Sequence, residues 1–200
     1  MLTVRGLTRP GLGPLDFELG PGQALAVLGP SGSGKTMLLR ALADLDPSDG
    51  LVTLRERRRE EMPAPEWRRC VTYMAAEPAW WAETVADHFT DPDRAAALLP
   101  PLGLAAETMA AAVSRLSTGE RQRLALARVL ALFPAPAVML LDEPTSALDA
   151  AAAGAVEEVL QERLRAGAAL LIVTHDEDQG RRFGGRCLRL EGGAATEGAL

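Results

Sequence analysis

The clearest chemical signal in the sequence is a glycine-rich loop that ends in a lysine and a threonine. Its glycines let the backbone curl so that successive N–H groups point at one anion, and the helix predicted to follow adds the positive end of its dipole. The loop therefore predicts a nucleotide phosphate site, with the threonine hydroxyl placed for Mg²⁺. It is a complete G-x-x-x-x-G-K-[ST] pattern formed by Gly29, Pro30, Ser31, Gly32, Ser33, Gly34, Lys35 and Thr36.

Lys35 is the only lysine among the 21 lysine and arginine residues of the chain. An ammonium group is a compact point charge that fits between two phosphates, whereas a guanidinium plane suits flat, bidentate partners. We therefore expect Lys35 to contact the phosphates directly.

Two acidic residues follow the apolar run at residues 138–141. Asp142 is predicted to hold Mg²⁺, directly or through water, and Glu143 to orient and polarise a water molecule in line with the γ-phosphate. Alone, the two acids would also suit a strand end before a Pro-Thr-Ser turn. Beside a phosphate loop they indicate Mg²⁺-dependent nucleotide hydrolysis.

A third candidate is a predicted helix start near residue 117. Ser117 and Glu120 have the spacing of a capping box, and Gly119 exposes backbone N–H groups where the helix begins. Such a start can bind an anion, but the same residues also form ordinary helix caps. From the residues alone, both interpretations stay open.

The elements that must position these residues alternate between strands and helices, which predicts an α/β fold with a mostly parallel sheet. Residues 91–113 indicate a small, alanine-rich helical insert, with Asp91 as the N-cap ahead of Pro92. Ligands of parallel sheets bind beyond the carboxyl ends of the strands, where the loop, Asp142 and His175 are expected to meet. Apolar patterns predict strands at 2–4, 15–18, 24–28, 51–54, 137–141, 169–173 and 187–190, and helices from 37, at 119–132 and at 150–165.

Composition narrows the function classes. Two hundred residues, 48% of them hydrophobic, fit one well-filled domain, and the net charge of −6 argues against a broad nucleic-acid surface, so no nucleic acid is expected as a partner. The first residues lack the pattern of a secretory signal, and the most apolar stretch, 124–141, is interrupted by an arginine and two prolines. We therefore expect a cytoplasmic chain.

In order and spacing, residues 29–36, 116–123, 141–149 and 174–176 resemble the motifs of the ATP-binding subunit of ABC transporters. The resemblance covers nearly the whole chain. It implies a P-loop NTPase (RecA-like) core with a mostly parallel sheet, an N-terminal antiparallel β region and a small helical insert. The implied single domain, residues 1–200, divides into a catalytic core, 1–76 and 119–200, and a helical subdomain, 77–118.

The resemblance also implies roles for residues. Two subunits would pair head to tail on binding ATP, each phosphate loop holding a nucleotide that Ser117, Gly119 and Glu120 of the other subunit cap. Lys35, Glu143 and His175 would be catalytic, with His175 on the γ-phosphate, although a structural histidine is the alternative. Asp149 would help to link the two sites, and Thr36 and Asp142 would hold Mg²⁺.

The implied function is an ATPase that moves an integral-membrane permease from the inner face of the cell membrane. A weaker similarity points to putative iron or metal exporters. The alternatives are an ABC ATPase without a transport role, or a weakly hydrolytic regulatory nucleotide-binding subunit.

Three departures from the family pattern carry expectations of their own. Ala76 stands where the family usually has a glutamine that contacts Mg²⁺ and the attacking water. A methyl group cannot ligate a metal, so water or Glu77 would have to replace it, and slow hydrolysis or an altered Mg²⁺ requirement is expected. Thr118 replaces a common second glycine. No aromatic residue lies near Arg9 to stack on adenine, so Arg9 itself or loose base recognition is expected.

Five of the eight aromatic residues fall between positions 67 and 89, where the family receives a helix of the membrane subunit. Adjacent Trp80 and Trp81 would supply large anchors there, at least one of them exposed. Ordinary packing against the insert is the alternative interpretation. The five residues are Trp67, Tyr73, Trp80, Trp81 and Phe89.

Overall fold

The computed structural model describes residues 1–132 and 134–200. Helices begin where the sequence supplies caps: Ser117 caps α4, and Asp149 caps α5 through a hydrogen bond from Ala152 N–H. The helices are α1 (Lys35–Leu42), α2 (Ala64–Cys70), α3 (Pro92–Ala96), α4 (Thr118–Leu130), α5 (Ala150–Arg165) and α6 (Glu177–Arg182). The strands are β1 (Leu2–Arg9), β2 (Leu12–Leu19), β3 (Ala24–Leu28), β4 (Asp49–Leu54), β5 (Arg57–Arg58), β6 (Val71–Met74), β7 (Val138–Asp142), β8 (Ala169–Val173), β9 (Arg186–Glu191) and β10 (Ala194–Ala199).

These strands form two sheets. The smaller is antiparallel, in the order β2-β1-β4-β5. The larger has the order β10-β9-β3-β8-β7-β6 and is parallel except for β10, which pairs antiparallel with β9. The predicted α/β fold, with a mostly parallel sheet and an N-terminal antiparallel β region, is confirmed.

The core lies on both faces of the larger sheet, since β3, β7 and β8 are buried along their whole length. Successive residues of a strand point to opposite faces. Leu140 and Leu171 therefore pack with α1 in one cluster, while Leu141 and Ile172 pack with α4 and α5 in the other. Fully buried parallel strands read as continuous apolar runs, which is why the sequence reveals them.

The bounds of β3, β8 and α5 are as predicted, and α4 ends at Leu130, two residues before the predicted end. The insert differs from the expectation. Asp91 caps α3 with Pro92 in its first turn, but α3 has only five residues, and the rest of the insert is a series of 3₁₀ turns. Pro100, Pro101 and Gly103 interrupt it, because proline and glycine disfavour a continuous helix.

The apolar patterns did not predict five elements: α2, α6, β5, β6 and β10. Each is short and lacks a repeated apolar pattern. The strand predicted last, at 187–190, is β9, and the turn at Gly192 and Gly193 leads from it into β10. No helix among the described residues is long and apolar enough to cross a membrane, and Phe133, inside the apolar stretch 124–141, lies outside them.

Candidate nucleotide site

The phosphate loop lies between β3 and α1, where left-handed backbone is required at three glycines. Gly29, Gly32 and Gly34 have φ values of 147°, 78° and 102°. At Gly29 a Cβ atom would lie 2.2 Å from the carbonyl oxygen of Leu190, so only glycine fits. Within the described chain, no side chain caps the start of α1 at Gly34, which leaves its first N–H groups directed at the loop.

Lys35 is buried in this loop, with 7% of its surface exposed. Its Nζ donates hydrogen bonds to the carbonyl oxygens of Gly29, at 2.8 Å, and Pro30, at 3.0 Å. The buried hydroxyl of Ser33 has no hydrogen-bond partner among the described residues. A compact cation is thus held within a loop of oriented N–H groups, an arrangement that binds anions.

Asp142 ends β7 and lies against the loop. Thr36 Oγ1 donates to Asp142 Oδ2 at 2.8 Å, and Tyr73 Oη donates to the same oxygen at 3.1 Å. Asp142 is only 3% exposed. Burial, and then the charge of Asp142, raises the pKa of Tyr73 well above its usual value, so its phenol is a proton donor at neutral pH. The sequence patterns did not single out Tyr73 as part of the site.

Glu143 and His175 are brought together as the parallel topology predicts. His175 Nε2 lies 2.8 Å from Glu143 Oε1. The two residues follow neighbouring strands, β7 and β8, and the N–H of Glu143 still donates to Val173 O at 3.1 Å. Glu143 has a φ of 48°, in the left-handed region where a residue other than glycine is strained. The turn therefore holds its carboxylate at the edge of the sheet, facing the histidine.

Gln122 supports this turn from α4, and the sequence patterns did not identify it. It is 2% exposed, donates from Nε2 to the carbonyl oxygen of Glu143, and accepts the N–H of Ala147 at 3.1 Å. Ser146 Oγ donates to the same carbonyl oxygen of Glu143 at 3.1 Å. The sequence could have indicated this role through a glutamine on the buried face of α4, because a buried amide needs hydrogen-bond partners.

The predicted capping box at the start of α4 is present. Ser117 donates to Glu120 Oε2 from its backbone N–H at 2.8 Å and from Oγ at 2.7 Å, and Oγ accepts Glu120 N–H at 3.2 Å. The hydrogen bond from the backbone of Ser117, and then that from its hydroxyl, lowers the pKa of Glu120. Gly119 lies close to the turn after β7, because a Cβ there would be 3.1 Å from Ala147 O.

A second buried amide, Gln179, joins the histidine segment to the turn after Glu143. Its Nε2 donates to Thr145 Oγ1 and to Glu157 Oε1, each at 2.9 Å. Glu157 also accepts two hydrogen bonds from Arg182, at 2.7 and 2.8 Å. Helices α5 and α6 are thereby tied to both segments that carry Glu143 and His175.

Arg9 and Ala76 occupy the positions where the sequence departs from the family. The guanidinium of Arg9 bonds to Asp46 at 2.8 Å, and Asp46 also accepts two bonds from Arg40. The geometry thus commits Arg9 to an ion pair and does not favour it as the group that stacks on a base, so that expectation stays a prediction. Ala76 follows β6 by two residues and offers only a methyl group.

The aromatic region forms a compact Trp–His cluster of Trp80, Trp81, His88 and Arg128. His88 Nε2 accepts the N–H groups of Trp81, at 2.9 Å, and Ala82, at 3.1 Å, so the ring proton is on Nδ1, which donates to Thr84 O. The guanidinium carbon of Arg128 lies 4.6 and 5.1 Å from the two indole centroids. Trp81 is 70% exposed, as expected for one of the pair.

Comparison with known proteins identifies the family. A profile described as "ABC transporter" matches residues 12–146. The hemin import ATP-binding protein HmuV of Pseudomonas aeruginosa is 37% identical, over 96% of this chain and 82% of its own length. The lipoprotein-releasing system ATP-binding protein LolD of Pseudomonas syringae is also 37% identical, over 93% and 88%.

Solved structures agree with this fold at lower identity. An ATP-binding subunit of an ABC transporter superposes with a TM-score of 0.87 at 23% identity, over all of this chain and 90% of the other. The dimeric bacterial ABC transporter cassette MJ0796 has a TM-score of 0.86 at 23% identity, over 100% and 99%. Together with the phosphate loop and the paired carboxylates, these matches show that the chain belongs to the ABC transporter family, as an ATP-binding ATPase subunit.

Proposed function

We propose that two copies of this chain close around ATP and Mg²⁺ and couple hydrolysis to the movement of an integral-membrane permease. The observation that carries the proposal is the convergence of two pairs beside one phosphate loop. Thr36 Oγ1 lies 2.8 Å from Asp142 Oδ2, and His175 Nε2 lies 2.8 Å from Glu143 Oε1. These are oxygen ligands for a cation and a carboxylate–imidazole pair for orienting water.

In the proposed site the phosphates lie on the N–H groups of residues 31–36. Lys35 Nζ donates hydrogen bonds to two carbonyl oxygens of the loop. It would turn to the phosphate oxygens, because a hydrogen bond from an ammonium group to an anionic oxygen is stronger than one to a neutral carbonyl. The uncapped start of α1 adds the positive end of its dipole. These contacts bind the triphosphate without base recognition.

The residues present fit Mg²⁺, which prefers hard oxygen ligands. Thr36 and Asp142 would hold it. The cation would neutralise phosphate charge and fix the orientation of the triphosphate. Glu143 would orient the attacking water as base, and His175, whose Nε2 lies 2.8 Å from Glu143 Oε1, would contact the γ-phosphate.

The second half of each site comes, in this proposal, from the other copy of the chain. Ser117, Gly119 and Glu120 lie at the start of α4, whose first N–H groups suit an anion. Asp149, the N-cap of α5, lies on the turn between Glu143 and that helix, and would link the two sites across the pair. Head-to-tail pairing places each α4 start over the other copy's phosphate loop.

The proposed contact with the permease is the groove beside the Trp–His cluster. It has a volume of about 330 Å³ and is lined by Met74, Pro78, Trp81, Ala125, Val129 and other residues of the same face. An apolar groove with an exposed indole at its rim fits an amphipathic helix. Tyr73, which contacts Asp142, is also among the residues that line this groove. This contact would place the chain on the inner face of the cell membrane.

The transported solute is chosen by the permease in this proposal. Similar proteins are named for import of hemin, L-cystine and Fe(3+) ions, and one for export in cytochrome c biogenesis. Metal or iron export is the narrower hypothesis. Cells without the gene should then retain more of the metal, and an unchanged metal content would contradict it.

The proposal is tested with Glu143→Gln, which keeps the shape of the side chain and removes its charge. With ATP and Mg²⁺ this variant should accumulate as a dimer in light scattering, because closure is retained while hydrolysis is lost. Glu158→Gln, on the exposed side of α5, is the matched control and should behave as wild type. A Glu143→Gln variant that stays monomeric beside its permease would overturn the paired site.

The two alternatives predict different results in the same preparations. An ABC ATPase without a transport role would not purify with a membrane protein. A regulatory subunit would bind ATP but release little phosphate, even with the permease present.

A further inference from the structure

Tyr73 contacts the site from a strand that carries none of its sequence motifs. Parallel pairing of β6 with β7 sets Tyr73 opposite Leu140, two residues before Asp142. Side chains two residues apart share a face of the sheet, so the phenol reaches along that face to the carboxylate. Tyr73 Oη lies 3.1 Å from Asp142 Oδ2, within normal hydrogen-bond range.

Two hydroxyl groups donate to one oxygen of Asp142, and they differ in their other tasks. Thr36, at 2.8 Å, is also a proposed Mg²⁺ ligand, so a bound cation would engage its hydroxyl oxygen as well. Tyr73 lies outside the phosphate loop, on a strand hydrogen-bonded to β7 itself. It can therefore hold the carboxylate whether or not Thr36 is engaged by a cation.

We propose that Tyr73 is a positioning residue whose phenol fixes the carboxylate of Asp142 in the orientation that accepts Mg²⁺ together with Thr36. This inference rests on the Mg²⁺–ATP site proposed above. The orientation of Asp142 matters more in this chain because Ala76, two residues after the same strand, supplies only a methyl group. An orienting hydrogen bond to a metal-binding carboxylate changes metal affinity without touching the metal.

Packing is the competing role for Tyr73. Its ring is half-buried and lies against the cluster that contains α1 and the buried face of β7. Tyr73→Phe keeps the ring and removes only the hydroxyl, so it separates the two roles. The matched control is Thr72→Val, the neighbouring hydroxyl of β6, which donates to Arg68 O at 2.9 Å in α2.

The experiment measures the affinity of a fluorescent ATP analogue with Mg²⁺ and with EDTA, in the Glu143→Gln background so that no hydrolysis occurs. The readout is the affinity with Mg²⁺ divided by the affinity in EDTA. Tyr73→Phe should reduce this ratio by about tenfold, the usual scale for losing a group that orients a metal ligand. The affinity of Tyr73→Phe in EDTA and its melting temperature should match those of the background. Thr72→Val should leave the affinity ratio, the affinity in EDTA and the melting temperature unchanged.

The outcomes separate the inference from the proposed function. If the background binds the analogue more tightly with Mg²⁺ and Tyr73→Phe shows the same ratio, Tyr73 is a packing residue and the inference fails alone. If Tyr73→Phe lowers the affinity for the analogue in EDTA as much as it lowers the affinity in Mg²⁺, the hydroxyl supports the fold and the inference also fails. If the background itself ignores Mg²⁺, the proposed cation site fails and takes the inference with it.

Discussion

Ala76 is the residue whose identity differs most from what the site needs. Thr36, Asp142 and Glu143, the proposed water-orienting residue, are present, but Ala76, two residues after β6, offers them no polar group. In the proposed site, a missing amide would leave one side of the cation to water, which exchanges freely and would not fix the attacking molecule. Slow turnover or a high Mg²⁺ requirement is the expected consequence.

Restoring the amide tests this expectation. Ala76→Gln should raise turnover at limiting Mg²⁺ by about threefold or more, because an oriented amide oxygen would join the ligands of the cation. Phosphate release measured against Mg²⁺ concentration gives the half-saturation point and the maximum rate. Ala75→Gln, one residue earlier, is the control. Indistinguishable curves for wild type and Ala76→Gln would reject the hypothesis.

Among the elements, α4 combines a structural cap with a proposed binding surface. Ser117 and Glu120 exchange three hydrogen bonds at its start. Ser117→Ala removes those made by Oγ, and losing an N-cap side chain costs about 1 kcal/mol of unfolding free energy. Urea unfolding at neutral pH measures this cost. Ser114→Ala, an exposed serine just ahead of the helix, is the control.

The cost should depend on pH because the folded protein lowers the pKa of Glu120 below its ordinary value of 4.5. A lowered pKa means that the ionised carboxylate stabilises the fold fully above the ordinary value and less as pH falls through the folded one. The difference in unfolding free energy between wild type and Ser117→Ala should therefore narrow as the pH falls below 4.5. A difference that widens in acid would show that the carboxylate is not the acceptor that matters.

The sequence predicts the elements that carry a continuous or periodic apolar pattern and misses the short elements that lack one. Strands β3, β7 and β8 are continuous apolar runs, and α5 starts after an aspartate that caps it. The sequence patterns therefore indicate where these elements lie. Helix α6 has six residues, mostly charged, and β10 is rich in alanine and glycine. Patterns of this kind favour no element, and only pairing with β9 makes β10 a strand.

The site follows the same division. Motif residues such as Lys35 and Asp142 are identified by type and spacing, since their chemistry is local. Tyr73, Gln122 and Gln179 act through contacts between elements distant in sequence, so no local pattern announces them. What the sequence patterns cannot show is which polar side chain of a buried face meets which carbonyl or carboxylate.

At the scale of the whole molecule, the two halves of the proposed composite site are mechanically joined within one chain. Gln122 ties α4 to the turn at Glu143, and Gly119 packs against Ala147. The start of α4, which would cap the other copy's nucleotide, is therefore held to the carboxylate of its own site. Closure of the dimer on one nucleotide is therefore expected to change the geometry of both nucleotide sites.

Head-to-tail sharing can be tested by mixing two defective variants. Lys35→Ala should lose its phosphate contact, and Ser117→Arg should block the cap with a bulky charge. Alone, each variant has two damaged sites per dimer. In a mixed dimer, the phosphate loop of the Ser117→Arg chain meets the intact start of α4 of the Lys35→Ala chain, so one site is whole and the other carries both defects.

Random pairing of equal amounts makes half of the dimers mixed, so about a quarter of the sites should be intact. In the Glu143→Gln background, ATP trapped in the dimer with Mg²⁺ measures these sites without hydrolysis. The mixture should recover about a quarter of the background signal, and each variant alone almost none. If both halves of a site came from one chain, mixing would restore nothing, because every chain would still carry its own defect.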